Sequence, residues 1–208
     1  MLISTSFLSS KNIPKDLTKL NETETDYIHV DVMDGKFVKN KTMPFSEMSK
    51  IYKYTDKRLD IHLMCEDSSK YIKDYAKLNS EYITIHVESK NIKENLELIR
   101  SYYIKSGLAI NPETPVKEII PYLPITDLIL VMSVEPGAGG QEFIKESEDK
   151  IKEIREILKE YKMDDKIISC DGGINKDTRK YVSKCDMIVS GSYIINADDF
   201  DEAIKSLR

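Results

Sequence analysis

The chain alternates between short apolar runs and longer charged stretches. Eight runs rich in Ile, Val, Leu and Tyr have the length and β-branched content of strands. They cover residues 2–7, 27–32, 58–64, 82–87, 107–110, 127–132, 167–170 and 187–189. The charged stretches carry apolar residues at helical spacing, and residues 143–161 show the clearest stripe, formed by Ile144, Ile151, Ile154, Ile157 and Leu158. Further helices are predicted near 15–20, 46–54, 69–78, 92–102, 116–123, 176–183 and 199–207.

Strands that alternate with helices indicate a parallel sheet. Eight such repeats predict a single (β/α)₈ TIM barrel that spans residues 1–208 as one catalytic domain. A doubly wound open sheet is the structural competitor. It usually has fewer strands and a glycine-rich turn after its first strand. Here the first strand is followed by Leu8, Ser9 and Ser10, without a glycine, which favours the barrel.

Composition narrows the class of protein. Of the 208 residues, 40% are hydrophobic and 32% charged, which is typical of a globular domain. The net charge of −5 argues against a nucleic-acid partner, since that would need a basic face. No leader and no membrane-spanning run is recognisable, and Cys65, Cys170 and Cys185 lie too far apart for a disulfide framework. We therefore expect a cytoplasmic protein without a membrane partner. We also expect it to form a homo-oligomer.

Polar side chains on neighbouring strands face the interior of the predicted barrel. Because alternate strand residues share a face, the inward residues are His29, Asp31 and Met33 on one strand and Asp60, His62 and Met64 on the next. Asp171 ends the seventh strand. Burying several ionisable groups together is costly unless they are paired or bind a cation.

Two imidazoles and two carboxylates, from His29, Asp31, His62 and Asp171, suit one divalent metal ion, namely Zn, Fe or Mn. The alternative is that hydrogen bonds satisfy each of these groups internally. Asp60 lies one layer deeper, where it would support a ligand rather than be one. For His86, at the end of the fourth strand, a structural role is favoured over a role as a metal ligand or substrate contact.

Glycines cluster after the last three strands, at Gly137, Gly139, Gly140, Gly172, Gly173 and Gly191. In a (β/α)₈ barrel the active site lies at the carboxyl ends of the strands, and the loops after strands seven and eight often bind phosphate through backbone N–H groups. The chain therefore combines a candidate metal centre and a candidate phosphate site at the same mouth.

These residues are similar to those of a known family, the ribulose-phosphate 3-epimerases. The resemblance covers essentially the whole chain and rests on residues 28–38, 59–64, 83–86, 131–141, 171–174 and 191–192. It implies a TIM barrel of the ribulose-phosphate binding type. It also implies a metal-dependent epimerase of the pentose phosphate pathway, which interconverts D-ribulose 5-phosphate and D-xylulose 5-phosphate through an enediolate.

The resemblance also implies a role for each matching residue. It makes His29, Asp31, His62 and Asp171 the metal ligands, with Asp31 and Asp171 as the acid and base. The substrate contacts that it implies are Ser6, Met33, His62, Met64, Met132, Gly137, Ala138, Gly139, Gly140, Gly172, Gly173, Gly191 and Ser192. The chain departs from the family pattern at Thr5, Lys39, the segment 65–68 and Ala138, where the family usually has Pro, Pro, a proline-containing segment and Phe.

Three other functions fit parts of the same pattern. An epimerase of a six-carbon ketose phosphate, such as D-allulose 6-phosphate, would use the same metal, acid and base. A non-catalytic sugar-phosphate-binding barrel would need no ionisable cluster, and a metal-free barrel lyase or synthase would need no inward His29 and His62. A comparison of substrates, a proton-exchange assay and metal analysis, respectively, distinguish them.

Overall fold

Eight parallel strands close into a barrel in chain order in the computed structural model, which describes residues 1–208. The strands are β1 (Leu2–Ser6), β2 (Tyr27–Met33), β3 (Leu59–Met64), β4 (Ser80–His86), β5 (Lys105–Ile110), β6 (Leu128–Met132), β7 (Ile167–Asp171) and β8 (Met187–Ser190). Strand β1 pairs with β8, with Ile3 opposite Ile188, so no sheet edge is left exposed. The predicted fold class is confirmed, and each predicted strand coincides with an observed one.

The α-helices cover the outside of the barrel. They are α1 (Ile13–Asn21), α2 (Phe45–Met48), α3 (Ser69–Tyr75), α4 (Ile92–Ser101), α5 (Ser147–Glu160), α6 (Ser192–Ile195) and α7 (Phe200–Lys205). Helix α5 buries Ile151, Ile154 and Leu158, but it begins at Ser147, so Ile144 precedes the helix instead of extending its stripe. Helix α6, directly after β8, was not predicted from the sequence.

Three of the predicted helices are wound wholly or partly as 3₁₀ helices. After β2, the short α2 continues as a 3₁₀ helix, Ser49–Lys53. After β5 there are only two 3₁₀ helices, Val116–Glu118 and Ile120–Ile125, and after β7 only one, Arg179–Val182. Pro121 and Pro124 explain why the segment after β5 forms no α-helix, because a proline lacks the N–H that an α-helix interior needs.

The core has two parts, divided by the barrel wall. Outward-facing aliphatic residues such as Ile28, Ile61 and Ile85 are fully buried against the helices. Inside the barrel, a second cluster of eight buried residues fills the interior, and its members are Tyr82, Ala109, Leu128, Leu130, Met132, Val134, Met187 and Val189. Each large apolar side chain buried in this way contributes about 1.5–3 kcal/mol. The outer packing fixes the strands, and the strands fix the side chains at the mouth.

The structure bears on two further expectations. Cys65, Cys170 and Cys185 are all buried and free, in agreement with the absence of a disulfide framework. No helix combines the length and the apolar character that crossing a membrane requires.

Candidate active site

Four ionisable side chains meet at the carboxyl end of the barrel. His29 and Asp31 come from β2, His62 from β3 and Asp171 from the end of β7, and one possible ligand atom from each lies within 4.8 Å of all the others. His29 Nε2 is 3.4 Å from Asp31 Oδ1 and 3.7 Å from Asp171 Oδ2. His62 Nδ1 is 3.3 Å and 3.7 Å from the same two oxygens. We call these four residues the ligand cluster.

The two imidazoles of the ligand cluster each turn an unsatisfied nitrogen towards its centre. His29 Nε2 and His62 Nδ1 are buried and have no hydrogen-bond partner. A buried polar atom without a partner costs free energy, and native proteins rarely leave one. Two nitrogens and two carboxylate oxygens form a donor set suited to Zn, Fe or Mn. The residues therefore fit a divalent metal ion, which would satisfy both orphaned nitrogens.

Asp60 lies beneath the ligand cluster and orients His29. Its Oδ2 is 2.8 Å from His29 Nδ1 and also accepts a hydrogen bond from Ser4 Oγ at 2.8 Å. A carboxylate at Nδ1 keeps the proton on that nitrogen and leaves Nε2 free as a donor of electrons to a metal. Asp60 thus has the supporting position that the strand pattern predicted.

The two carboxylates of the ligand cluster have opposite proton affinities. Burial acts to raise the pKa of Asp31, but His29 and His62 outweigh it and hold that pKa far below its usual range. Burial raises the pKa of Asp171 to about 7, against the lowering effect of His29. Ser6 Oγ donates a hydrogen bond to Asp31 Oδ2 at 2.8 Å, which further favours the ionised form. Near neutral pH, Asp31 is a carboxylate and Asp171 is poised to hold or release a proton.

The imidazoles also differ from each other. Burial acts to lower the pKa of His29, but Asp31 and Asp60 reverse the effect and raise that pKa well above its ordinary value. Burial lowers the pKa of His62, which keeps that ring neutral. Both rings are fully enclosed.

A cavity that is open to solvent lies directly above the ligand cluster. Asp31 and Asp171 form part of its wall, next to Met64 and Met132. The other predicted site residues that line it are Ser6, Gly137, Ala138, Gly139, Gly140, Gly172, Gly173, Gly191 and Ser192. Met33 lines an adjoining cavity, which also reaches Asp31 and Ala138. One mouth thus combines an ionisable floor, an apolar side and a glycine-rich side.

Two polar residues of this cavity were not identified from the sequence. Ser9 follows β1, and Gln141 ends the glycine-rich loop after β6. Gln141 Nε2 donates hydrogen bonds to the carbonyls of Glu135 and Ala138, at 2.7 Å and 2.8 Å, and so holds the loop in shape. Asn40, from the loop after β2, donates to the Gly137 carbonyl at 2.7 Å. For Gln141 the available signal was its position in the glycine-rich segment 137–141, but loops have no period that fixes side-chain direction.

This fold and this site define a class: a (β/α)₈-barrel protein with a candidate metal centre beneath a glycine-lined cavity. Residues 2–195 match the Ribulose-phosphate 3 epimerase family. The chain belongs to this family.

Individual relatives agree over the full length of the chain. It is 38% identical to a ribulose-phosphate 3-epimerase of Synechocystis sp. and 36% identical to one of Bacillus subtilis. These matches cover 100% of this chain and 93% and 95% of the two relatives.

Solved structures with much lower identity share the barrel. A 3-keto-L-gulonate-6-phosphate decarboxylase from Vibrio cholerae matches with a TM-score of 0.68 at 11% identity, over 100% of this chain and 95% of that one. A structure named KGPDC from Streptococcus mutans matches with a TM-score of 0.65 at 14% identity, over 99% and 94%. At such identities the likeness concerns the fold alone.

Proposed function

We propose that this chain interconverts D-ribulose 5-phosphate and D-xylulose 5-phosphate by transferring a proton at carbon 3. The observation that carries the proposal is the ligand cluster, in which two carboxylates of opposite proton affinity lie at the floor of the cavity. Membership of the ribulose-phosphate 3-epimerase family supports the substrate.

The reaction requires removal of a proton from the carbon beside a ketone and return of a proton on the opposite face. The enediolate formed between these steps carries negative charge that must be stabilised where it develops. His29, Asp31, His62 and Asp171 would hold one divalent ion, Zn, Fe or Mn. When bound, the ion supplies Lewis acidity towards the substrate oxygens.

Asp31 and Asp171 are the acid and the base in this proposal. Asp31 takes the carbon-3 proton on one face, and Asp171 delivers a proton on the other face. The roles exchange in the reverse reaction. In the metal-free protein the pKa of Asp31 is held far below its usual range and that of Asp171 is raised to about 7, so the two carboxyls differ in proton affinity before a metal binds.

The other predicted substrate contacts form two groups, one near the reacting carbon and one near the phosphate group. Ser6 donates to Asp31 and keeps that carboxylate oriented. Met64 and Met132 present apolar surface on the cavity wall near both carboxylates, which limits access of water to the reacting carbon.

The phosphate group belongs at the glycine-rich side of the cavity. The loops that carry Gly137 to Gly140, Gly172 with Gly173, and Gly191 with Ser192 all border the same space. Backbone N–H groups of such loops bind an anion without the need for Lys or Arg. This explains how a chain with a net charge of −5 would bind a sugar phosphate.

Proton exchange tests this function directly. Purified, metal-loaded protein is incubated with D-ribulose 5-phosphate in D₂O, and carbon 3 is followed by NMR. Deuterium at carbon 3 together with the appearance of D-xylulose 5-phosphate is the expected result. Absence of both, with bound metal confirmed, would overturn the pentose assignment.

The same assay with D-allulose 6-phosphate tests the six-carbon alternative. A higher kcat/KM for the six-carbon substrate would move the chain to that specificity. Tight binding of either sugar phosphate without any exchange would instead support a binding protein.

A further inference from the structure

A chain of hydrogen bonds runs from the ligand cluster into the loop that follows β4. His62 Nε2 lies 2.8 Å from His86 Nε2, and His86 Nδ1 lies 3.2 Å from Glu88 Oε2. The His86 and His62 rings lie in nearly parallel planes with centroids 5.0 Å apart, and Phe37 packs against His86 at 4.7 Å. These contacts fix the plane of the His86 ring between its two hydrogen-bond partners.

Glu88 is itself held by donors. Its Oε1 accepts hydrogen bonds from the backbone N–H of Asn111, at 2.9 Å, and from the Thr114 hydroxyl. Lys150, on α5, secures this loop by donating to the carbonyls of Asn111, Pro112 and Thr114, each at 2.7 Å. Glu88 therefore has one oxygen fixed by the loop and the other aimed at His86.

The hydrogen bond between His62 Nε2 and His86 Nε2 needs one proton, which either ring can carry, so two arrangements of two neutral rings keep this bond. In the first, His62 donates from Nε2, and His86 carries its own proton on Nδ1, where it donates to Glu88. In the second, His86 donates from Nε2, its bare Nδ1 faces the Glu88 carboxylate, and His62 carries a proton on Nδ1. The second arrangement places two acceptors face to face at 3.2 Å, at a contact that has hydrogen-bond geometry. In the first arrangement the bare His62 Nδ1 lies 3.3 Å from Asp31 Oδ1, but these two atoms do not have hydrogen-bond geometry, so the Glu88 carboxylate favours the first.

We propose that Glu88 is a positioning residue that acts through His86 to keep the proton of His62 on Nε2, leaving Nδ1 bare towards the ligand cluster. This inference rests on the proposed function, because it assumes that His62 Nδ1 serves as a metal ligand. His29 reaches the same state by a shorter route, since Asp60 contacts its Nδ1 directly. The two imidazoles of the centre thus present different ring nitrogens, one selected by the buried Asp60 and the other by the partly exposed Glu88.

Glu88→Gln is the decisive substitution. The Asn111 N–H needs an acceptor, so the glutamine oxygen stays with the loop and its NH₂ group faces His86. An NH₂ donor there forces His86 Nδ1 to accept and reverses the proton arrangement. His62 then carries its proton on Nδ1, where it opposes metal binding.

The tautomers are measured by long-range ¹H–¹⁵N NMR, which distinguishes protonated from bare imidazole nitrogens. The chain has three histidines, so six ring nitrogens account for the whole spectrum. In the metal-free wild-type protein we expect His62 to be protonated on Nε2 and His86 on Nδ1. In Glu88→Gln both should be reversed. A wild-type protein with the opposite arrangement would overturn the proposal even if the variant failed to fold.

Affinity for Zn²⁺ alone, measured by competition with a chelator and without substrate, gives the second readout. Glu88→Gln should weaken binding about 10- to 100-fold, which is the usual effect of losing such a supporting contact. Glu97→Gln, which removes an exposed carboxylate on α4, is the matched control and should bind as the wild type does.

The outcomes separate this inference from the proposed function. Equal Zn²⁺ affinity in Glu88→Gln and the wild type would refute the role of Glu88 while leaving the epimerase proposal intact. Failure of the wild type to epimerise would refute the proposed function, whereas the tautomer measurement would still decide the role of Glu88.

Discussion

The carboxylates of Asp31 and Asp171 belong to strands three positions apart around the barrel, yet their ligand oxygens lie within 4.8 Å of each other. Both oxygens face His29 Nε2, at 3.4 Å and 3.7 Å. Only Asp31 also accepts from Ser6, while Asp171 is stabilised by no comparable donor and is partly exposed at the cavity. The same cluster therefore contains one firmly ionised carboxyl and one with a high proton affinity.

Asp31→Asn and Asp171→Asn should each lower kcat by about 10²- to 10⁴-fold, the usual contribution of a general acid or base. Each variant retains one carboxylate, so each should still exchange the carbon-3 proton of one epimer with solvent but not convert it into the other. The measurement is deuterium incorporation into both epimers at saturating metal. Exchange of both epimers by either variant would contradict the assignment of one carboxylate to each face.

Metal affinity should fall as the pH decreases below about 7. Burial raises the pKa of Asp171 to about 7 in the metal-free protein, and the pKa of His29 is also raised, so both groups must lose a proton before they can bind a metal. Each displaced proton contributes up to about a tenfold loss of affinity per pH unit. Calorimetric titrations with Mn²⁺ in buffers of different ionisation enthalpy would count the released protons.

The sign of this effect follows from linkage. Because the folded-state pKa of Asp171 lies above its ordinary value of 3.8, its contribution to the stability of the metal-free protein is complete below that value and is lost as the pH rises to about 7. Bound metal favours the deprotonated form, so it should stabilise the protein more at higher pH. A metal affinity that is the same at about pH 5 and about pH 7 would contradict the raised pKa of Asp171.

Asp60→Asn should weaken metal binding about 10- to 100-fold while leaving the barrel folded. The amide oxygen can still accept from His29 Nδ1, so the ring keeps its orientation, but the negative charge that raises the pKa of His29 is lost. Chelator competition measures the affinity. The control is Asp149→Asn, whose side chain is 84% exposed on α5. Equal losses in both variants would indicate a general effect of charge on the fold.

The strand pattern predicted the ligand cluster because two simple rules determine it. Alternation turns His29, Asp31 and His62 inward, and the closed parallel barrel brings the carboxyl ends of β2, β3 and β7 to one mouth. Neither rule depends on loop conformation. The four residues could therefore be brought together from the sequence without any knowledge of the turns between the strands.

The site residues that the sequence did not predict lie in loops, where no regular spacing fixes the direction of a side chain. Ser9 and Gln141 are loop residues, and Glu88 follows the end of β4, so their side-chain directions depend on tertiary contacts such as the donors from Asn111 and Thr114. The helix predicted near 116–123 had suitable apolar spacing, but Pro121 and Pro124 limit it to 3₁₀ turns. The spacing of apolar residues does not show that a proline lacks the backbone N–H that an α-helix needs.

Gly173→Ala and Gly140→Ala separate backbone strain from steric overlap in the proposed phosphate loops. Both glycines have positive φ, +63° at Gly173 and +74° at Gly140, which costs a residue with a side chain about 1–2 kcal/mol. A Cβ at Gly140 would meet nothing within 4 Å. A Cβ at Gly173 would lie 2.6 Å from the backbone nitrogen of Phe143 and 2.9 Å from the carbonyl oxygen of Gln141.

Gly140→Ala should therefore lower Tm by only a few degrees, since about 1 kcal/mol corresponds to about 2–4 °C in a chain of this size. Gly173→Ala should lower Tm further and raise KM for the sugar phosphate more than Gly140→Ala does, because it pushes the loop after β7 away from the segment 141–143. Thermal unfolding and steady-state kinetics on both variants check this order. Equal effects on Tm would mean that the loop after β6 moves freely enough to absorb the overlap, and the phosphate site would then lack the rigid glycine-rich side proposed for it.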